Sequence, residues 1–458
     1  MKRFGIGMLL AAGTAAVFLF VGMTRTFEYR RLVEAGDTAL GQDDTFLAIE
    51  AFSGAIALRG DSMLAHLKRG ETYQRRGDLE TARRDLTRAT ALDPAATRPL
   101  EALGDVSYGL GRHEDAALHY AAYVALDDQT PRVLYKLALA HHHVGRAALA
   151  IPLLRGLIEV APEMPEAHYL LGLALRDQER QDEAIDALRQ AVALSPGFTT
   201  ARGALGALLG VTGHLNARVE QLEALVALDP NTWQRDVDLA LAYAGVGRTD
   251  MAVFSLGRAS EEYPEEAQVY AALGRVWLDI ARTTEDRVAL TKAIAALRSI
   301  PQATASSEAL TLLARALLLA GELKEAVVLL ELATARYPLD PSAFSELAGL
   351  VAQEGDLLRA RRLLVAHDTL TAHGPNAQRL AGLLRIADLS IQLDDHADAA
   401  LRFETAVGLG SPTPALLVRL ANAQWRGGFP TAARSVVTDG LVQHPDNSAL
   451  RALQRRFE

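Results

Sequence analysis

Few residues in this chain have the types and the spacing that catalysis or metal binding requires. The densest group of possible metal ligands is His141-His142-His143. Consecutive side chains on a helix point about 100° apart, so these three imidazoles cannot converge on one ion, and we expect them to form a polar helix end. The other candidate group, Asp394-Asp395 with His396, is expected in a turn between two helices.

The sequence motifs that mark common enzyme classes do not occur. There is no glycine-rich phosphate loop, no His-Glu-x-x-His zinc motif and no Gly-x-Ser-x-Gly nucleophile elbow. The chain has 0 cysteines, which excludes thiolate and disulfide chemistry. Its net charge of −9 opposes general binding to nucleic acid, because phosphate contacts require a basic face. We therefore predict a protein that is not an enzyme and that uses no cofactor, metal, nucleic acid or small-molecule substrate.

A small residue recurs along the chain at a fixed interval. The first eight such sites lie 34 residues apart: Gly36, Gly70, Gly104, Ala138, Gly172, Gly206, Ala240 and Gly274. They continue, with two phase slips, at Ala314, Ala348, Ala387 and Ala421. A second small site follows in each unit, and it is Ala everywhere except at Arg218. A period of this length in a sequence rich in Ala and Leu predicts a stack of about twelve helix–turn–helix units.

The spacing of the small sites has a physical explanation. Two antiparallel helices approach closely only where both side chains are small, and the apolar residue four positions after the second site fills the space beside that crossing. Eight further glycines lie between the two helices of their units, where we predict a left-handed backbone. These are Gly77, Gly111, Gly145, Gly213, Gly247, Gly321, Gly355 and Gly428.

These positions resemble the tetratricopeptide repeat family. The clearest unit reads Gly70, Tyr73, Gly77, Ala82, Leu86, Ala89 and Pro94. The resemblance covers about residues 29–445 and implies an all-α, right-handed α-solenoid whose first helices line a concave groove. It implies binding of partner proteins and no reaction. Arg218 departs from the family pattern, as do Asp128 and Ser411, which replace the proline that closes most units.

We divide the chain into three parts. Residues 1–28 are predicted to form an N-terminal anchor, 29–445 the solenoid and 446–458 a C-terminal capping helix. The phase slips lie near 279–292 and 368–379; the first is interpreted as a lengthened turn inside the eighth unit, and the second contains Gly374-Pro375. The slips are either ordinary loop drift or flexible points that divide the solenoid.

The N-terminus carries Lys2 and Arg3, then an apolar stretch from Phe4 to Met23 that only Thr14 interrupts. Such a stretch is long enough for the ~30 Å core of a bilayer, which predicts a transmembrane signal anchor. A cleaved secretory signal and a buried capping helix are the alternatives. A short basic N-terminal tail is typical of bacterial anchors that export the rest of the chain. We therefore expect a single-pass inner-membrane protein with an extracytoplasmic solenoid.

The first helices of the third to seventh units supply the predicted groove, which combines an apolar trough with a basic and aromatic edge. Its residues are Arg98, Glu101, Asp105, Arg132, Tyr135, Leu139, Tyr169, Leu173, Arg176, Val237 and Leu241. We expect it to bind partner peptides or helices. The favoured function is a membrane-anchored scaffold in the assembly of a bacterial envelope complex. The alternative is an accessory or regulatory subunit of a separate enzyme, such as a polysaccharide or transferase system.

Overall fold

The structure is a computed structural model that describes residues 2–230, 232–410 and 412–458, with side chains from Val21 onward. Within these ranges the chain forms 25 α-helices and no β-strand. Twelve helix pairs follow one another, and a single helix ends the chain. The predicted all-α solenoid of about twelve repeats is therefore confirmed. The helices fall into two compact units, Met1–Pro230 and Asn231–Glu458.

The first unit is built from six helix pairs, and each helix packs against the next one along the chain. Its helices are α1 (Lys2–Gly41), α2 (Thr45–Leu58), α3 (Met63–Arg75), α4 (Leu79–Leu92), α5 (Thr97–Gly109), α6 (His113–Val124), α7 (Pro131–His143), α8 (Ala147–Val160), α9 (Pro165–Asp177), α10 (Gln181–Leu194), α11 (Thr199–Val211) and α12 (Leu215–Leu228).

The second unit repeats this arrangement with six more pairs and a final helix. Its helices are α13 (Trp233–Gly245), α14 (Thr249–Glu262), α15 (Ala267–Thr284), α16 (Arg287–Arg298), α17 (Ser307–Ala320), α18 (Leu323–Thr334), α19 (Pro341–Gln353), α20 (Leu357–Leu370), α21 (Asn376–Gln392), α22 (His396–Gly408), α23 (Pro414–Arg426), α24 (Pro430–Gln443) and α25 (Ser448–Phe457).

The small residues at the first site are required by direct contact with the partner helix. A methyl group added at Gly104 would lie 2.4 Å from the ring of Tyr120, which is buried on α6. The same addition at Gly172 would lie 2.6 Å from Leu188, and at Gly274 it would lie 2.4 Å from Leu297. The large residue that follows the second small site thus packs on the glycine itself, which explains why the two positions recur together.

The pair α11–α12 accommodates Arg218 by a local change in packing. A side chain added at Gly206 would find no atom closer than Gln221 Cβ at 3.6 Å, so this crossing is looser than the others. One turn later, a side chain added at Gly210 would meet Arg218 Nη1 at 3.0 Å. The long arginine therefore lies along α11 over a second glycine, and the departure from the repeat pattern is tolerated.

The turns inside the helix pairs confirm the prediction made for the eight glycines. Each of them has a positive φ, from 73° at Gly111 to 93° at Gly355. In three units the same position holds an acidic residue with positive φ, at Asp43, Glu179 and Asp394. The turn geometry is therefore imposed by the pairing of the helices and does not depend on glycine.

The interpretation of the first phase slip as a longer turn is wrong. The extra residues lengthen α15, which has 18 residues and ends at Thr284, and only Glu285 and Asp286 separate it from α16. The polar run from Arg282 to Arg287 contains no Gly or Pro that would stop a helix. In addition, Ala281 is buried, so the added turn is packed.

The second phase slip combines a loop with a longer helix. The five residues 371–375 connect α20 to α21, and Gly374-Pro375 immediately precedes the first residue of α21, Asn376. The rest of the insertion lies in α21, which has 17 residues where most first helices have 13. Gly374-Pro375 thus determines where α21 starts and does not lengthen the loop further.

The two ends of the chain differ in how much can be described. The predicted membrane segment, Phe4 to Met23, lies almost entirely outside the residues with described side chains. In the part of the chain that is described, no helix is both long enough and apolar enough to cross a bilayer. At the other end, the ring of Phe457 on α25 stacks on Trp425 with centroids 4.3 Å apart.

Candidate partner-binding groove of the first unit

A ladder of ion pairs joins successive first helices of the first unit. Lys68 on α3 contacts Asp37 on α1 at 2.5 Å. Arg98 on α5 donates to both oxygens of Glu71 on α3, at 2.7 and 2.8 Å. In each step the acidic residue belongs to the earlier helix and the basic residue to the later one. We call the surface that carries these pairs the first-helix face.

The third set of ion pairs, between α5 and α7, forms a network of four charged side chains. Arg132 Nη2 on α7 donates to Glu101 Oε2 at 2.8 Å, while Lys136 Nζ reaches Glu101 Oε1 at 2.8 Å. Lys136 also donates to both oxygens of Asp105, at 2.6 and 2.8 Å. The two carboxylates and the two cations balance one another, which offsets the cost of their partial burial.

Tyr120 connects this network to the packing of the helix pair. Its hydroxyl donates to Asp105 Oδ1 at 2.7 Å, and its ring covers Gly104. Burial, followed by the hydrogen bond to Asp105, raises the pKa of Tyr120 far above its usual range. The phenol therefore stays protonated and holds Asp105 in place.

A cavity of about 680 Å³ opens above the network on the first-helix face. Its lining combines aromatic and aliphatic side chains with members of the polar network. The lining residues are Gln74, Asp105, Tyr108, Tyr120, Arg132, Tyr135, Lys136, Leu139 and Met164. A cavity of this size accommodates one bulky side chain of a partner, and its mixed lining is typical of a binding site.

Tyr135 forms the apolar wall together with Leu139. Both are partly buried and pack against the hydrophobic core formed by α7–α11. Burial, and then the negative charge of Glu166, raises the pKa of Tyr135. The ring therefore presents a neutral surface, part apolar and part hydroxyl, to an incoming ligand.

The structure brings together four of the residues predicted from the sequence. Asp105, Arg132, Tyr135 and Leu139 all line the cavity. Glu101 does not line the cavity, but it is the shared acceptor of Arg132 and Lys136.

The other predicted residues lie elsewhere. Arg98 belongs to the preceding step of the ladder. On α9, Tyr169 packs against Phe198 with ring centroids 5.1 Å apart, and the exposed Arg176 contacts its neighbour Asp177. Leu173 is half-buried on the same helix and does not line the cavity.

Two predicted residues belong to the second unit. Val237 and Leu241 are half-buried on α13 and are not among the residues that line the cavity. The predicted groove ran without interruption from α5 to α13, whereas the cavity is confined to α3, α5, α6, α7 and the residue before α9.

Sequence reasoning missed five residues of the lining: Gln74, Tyr108, Tyr120, Lys136 and Met164. Gln74 and Tyr108 extend the predicted face by one helical turn, and they occupy the same repeat position 34 residues apart, so the periodicity contained a signal for both. Lys136 follows the predicted Tyr135 directly. Met164 gave no signal, because it lies in the turn before α9 and outside any helical pattern.

Comparison with known protein families identifies repeats in the first unit. The tetratricopeptide repeat model matches residues 33–96, 67–131 and 135–197. No curated protein matches the chain in sequence. Among solved structures, MamA from Desulfovibrio magneticus RS-1 is 23% identical, with a TM-score of 0.36 over 37% of this chain and 96% of its own.

Two further solved structures illustrate the range of similarity. YrrB, described as a TPR protein with an unusual peptide-binding site, is 20% identical with a TM-score of 0.37, covering 41% of this chain and 97% of its own. Yeast Tom70 is 14% identical with a TM-score of 0.44, covering 87% of this chain and 95% of its own. The matched residues 33–131 and 135–197 are tetratricopeptide repeats, and helix pairs continue from there to the end of the chain.

Proposed function

We propose that this protein is a non-catalytic scaffold, anchored in the inner membrane by its N-terminal segment, that holds partner proteins together in a bacterial envelope complex. Tetratricopeptide repeats are protein-interaction modules, so the general role of an interaction scaffold follows from the family. The anchor is supported by the apolar run from Phe4 to Met23, and the extracytoplasmic position of the repeats is supported by the short basic N-terminal tail, Lys2 and Arg3.

The cavity on the first-helix face carries the proposal for where a partner binds. Tyr108 and Tyr135 form part of its lining, and Leu139 and Met164 add aliphatic surface. We propose that a helix or an extended peptide of the partner inserts one bulky apolar side chain here. Aromatic residues around a preformed depression are the usual anchors of protein interfaces.

The charges around the cavity indicate what kind of contact dominates. Glu101 and Asp105 already accept hydrogen bonds from Arg132 and Lys136. No net charge remains in this network to attract an oppositely charged partner. Affinity should therefore come from apolar contact, and it should change little between low and physiological salt.

A peptide selection tests the binding proposal. Random 12-residue phage-displayed peptides would be selected on the full-length chain, and their affinity measured by fluorescence anisotropy. We expect the Tyr135→Ala variant to weaken binding at least tenfold, about 1.4 kcal/mol, since the wall of the cavity is lost. Val237→Ala, on α13, is the matched control and should bind as the wild type does. If the Tyr135→Ala variant binds the peptides as tightly as the wild type does, the cavity is excluded as their binding site.

Membrane topology requires a separate experiment. An alkaline phosphatase reporter fused to the C-terminus is active only after export. We expect activity in intact bacteria together with resistance of the fusion to extraction with alkaline carbonate. An inactive reporter would indicate the opposite orientation in the membrane. Release of the fusion by carbonate would refute the membrane anchor. Neither result would bear on the binding of peptides to the cavity.

A further inference from the structure

Three aromatic rings from three helices meet at one edge of the cavity. Tyr108 near the end of α5 contacts His113, the first residue of α6, at 4.8 Å between ring centroids. It also contacts His143 at the end of α7, at 5.5 Å. The two imidazoles stack on each other with centroids 4.8 Å apart and planes inclined by 22°. We call the stacked pair His113 and His143 the histidine latch.

The histidine latch is connected to the cavity through Tyr108. Tyr108 lines the cavity, and both contacts with the imidazoles are edge-to-face, with interplanar angles of 61° and 76°. The position of its ring therefore depends on the stack behind it. A movement of either imidazole would change the shape of the cavity wall.

The imidazoles of the stack are not held by hydrogen bonds that would favour their protonated, charged forms. His113 Nδ1 is buried and has no hydrogen-bond partner. The neighbouring His142 packs edge-on against His143 at 6.0 Å, and its Nε2 lies 3.2 Å from Asp177 Oδ2 without the alignment of a hydrogen bond. Burial, and then the proximity of His113 and His142, lowers the pKa of His143 below its ordinary value of 6.5.

The charged groups on the surrounding helices do not offer the stack a free carboxylate. Glu80 on α4 is paired with Arg112, at 2.7 Å. Glu114 on α6 is paired with Arg146, which precedes α8, also at 2.7 Å. Asp177 on α9 faces His142 and accepts a hydrogen bond from its neighbour Arg176.

The effect of protonating His143 on the stack follows from the direction of its pKa shift. His143 is exposed at the surface, yet its pKa is lowered in the stacked state, so that state binds fewer protons than a state in which the ring has left the stack. The contribution of neutral His143 to the stability of the stack is therefore complete above the ordinary pKa and is lost as the pH falls through the lowered one. Two charged imidazoles at this separation also repel each other, with no counterion between them.

We propose that the stack of His113 and His143 is a proton-sensitive latch that fixes Tyr108 in the cavity wall and releases it in acid, so that the groove binds its partner at neutral pH and loses it at acidic pH. This inference rests on the groove function proposed above, which it extends by a mode of regulation. Histidine is the side chain whose ordinary titration lies in this pH range.

A spectroscopic experiment tests the latch without a partner. Full-length protein in detergent micelles would carry 3-fluorotyrosine at position 108, and its ¹⁹F resonance would be followed from about pH 7 to about pH 5. We expect a shift of the resonance with a midpoint below that of a free histidine. In the variant His143→Phe, which keeps a ring and removes the proton, the shift should disappear. A resonance that does not respond to pH in the wild type overturns the proposal.

Affinity measurements provide the second test. A phage-selected peptide that depends on Tyr135 would be titrated at both pH values. We expect its affinity to fall about fivefold or more in acid for the wild type and to stay constant for His143→Phe and His113→Phe. His373→Phe, exposed in the second unit, is the control and should retain the pH dependence. If the wild type binds the peptide equally at both pH values, the latch proposal is refuted and the groove proposal stands. If no peptide binds, the groove proposal is refuted, and the ¹⁹F experiment alone tests the latch.

Discussion

Tyr120 on α6 donates a hydrogen bond of 2.7 Å to Asp105 on α5, while its ring occupies the space beside Gly104. One side chain therefore sets the crossing of a helix pair and also orients the carboxylate that holds Lys136 under the cavity. The structural core and the candidate groove share this residue, and its two roles can be separated by substitution.

Removal of the hydroxyl alone should have a small effect. Tyr120→Phe keeps the ring against Gly104 and loses one hydrogen bond, so we expect the free energy of unfolding to fall by about 1 kcal/mol. Tyr120→Ala also removes the ring and should cost ~3–5 kcal/mol. Urea unfolding followed by circular dichroism measures both. Equal losses for the two variants would show that the ring does not support the crossing.

The repeat register makes opposite predictions for two glycines in helices. Gly104→Ala places a methyl group 2.4 Å from the Tyr120 ring, so it should destabilise the protein by ~1–3 kcal/mol through overpacking. Gly203→Ala on α11 meets no atom within 4 Å and should stabilise by ~0.5–1 kcal/mol, because alanine favours a helix. Thermal unfolding of the two variants gives the sign of each change. A rise in melting temperature for Gly104→Ala would contradict the register.

The turn position of each helix pair allows a similar comparison. Glu179 has φ of 59° at the position where most units have glycine, such as Gly145 with φ of 75°. Because a side chain in this region costs energy, Glu179→Gly should raise the free energy of unfolding by up to ~1 kcal/mol. Gly145→Ala should lower it by a similar amount. The melting temperatures of the two variants should therefore move in opposite directions, and a shift in the same direction would refute the strain argument.

The fold was predictable because the repeat encodes contacts within each helix pair. The pairing of Gly104 with Tyr120 and the left-handed turn at Gly145 both follow from positions a fixed distance apart. The phase slips were harder to interpret. The run ending at Arg287 is polar, and polar residues without Gly or Pro suit a loop and an exposed helix equally well, so only the structure shows that α15 is extended.

The groove was predictable in part, for a different reason. The face that carries Asp105 and Tyr135 follows from helical periodicity. The cavity, however, depends on which charges pair between helices, and Lys136 reaches Glu101 and Asp105 across sequence separations of 35 and 31 residues. The periodicity within one helix does not give such a pairing, because it depends on how the helices of neighbouring units are placed.

The N-cap of α22 gives a stability prediction that depends on pH. Asp395 accepts a hydrogen bond from Asp398 N–H at 3.1 Å and another from Arg361 Nη1 at 2.7 Å, as expected for the turn predicted around Asp394-Asp395. The hydrogen bond from Arg361, and then that from the Asp398 backbone, holds the pKa of Asp395 below its ordinary value. The cap therefore contributes stability above the ordinary pKa of about 3.9, and this contribution is lost as the pH falls through the lowered pKa.

We expect Asp395→Ala to reduce the free energy of unfolding by ~1 kcal/mol at neutral pH. The difference from the wild type should stay constant down to about pH 5 and shrink below about pH 4, because protonation then removes the cap from the wild type as well. Asp61→Ala, at an exposed carboxylate, is the control and should change little at any pH. Urea unfolding at several pH values measures these differences, and a deficit for Asp395→Ala that persists undiminished in acid would show that the charge of Asp395 does not stabilise α22.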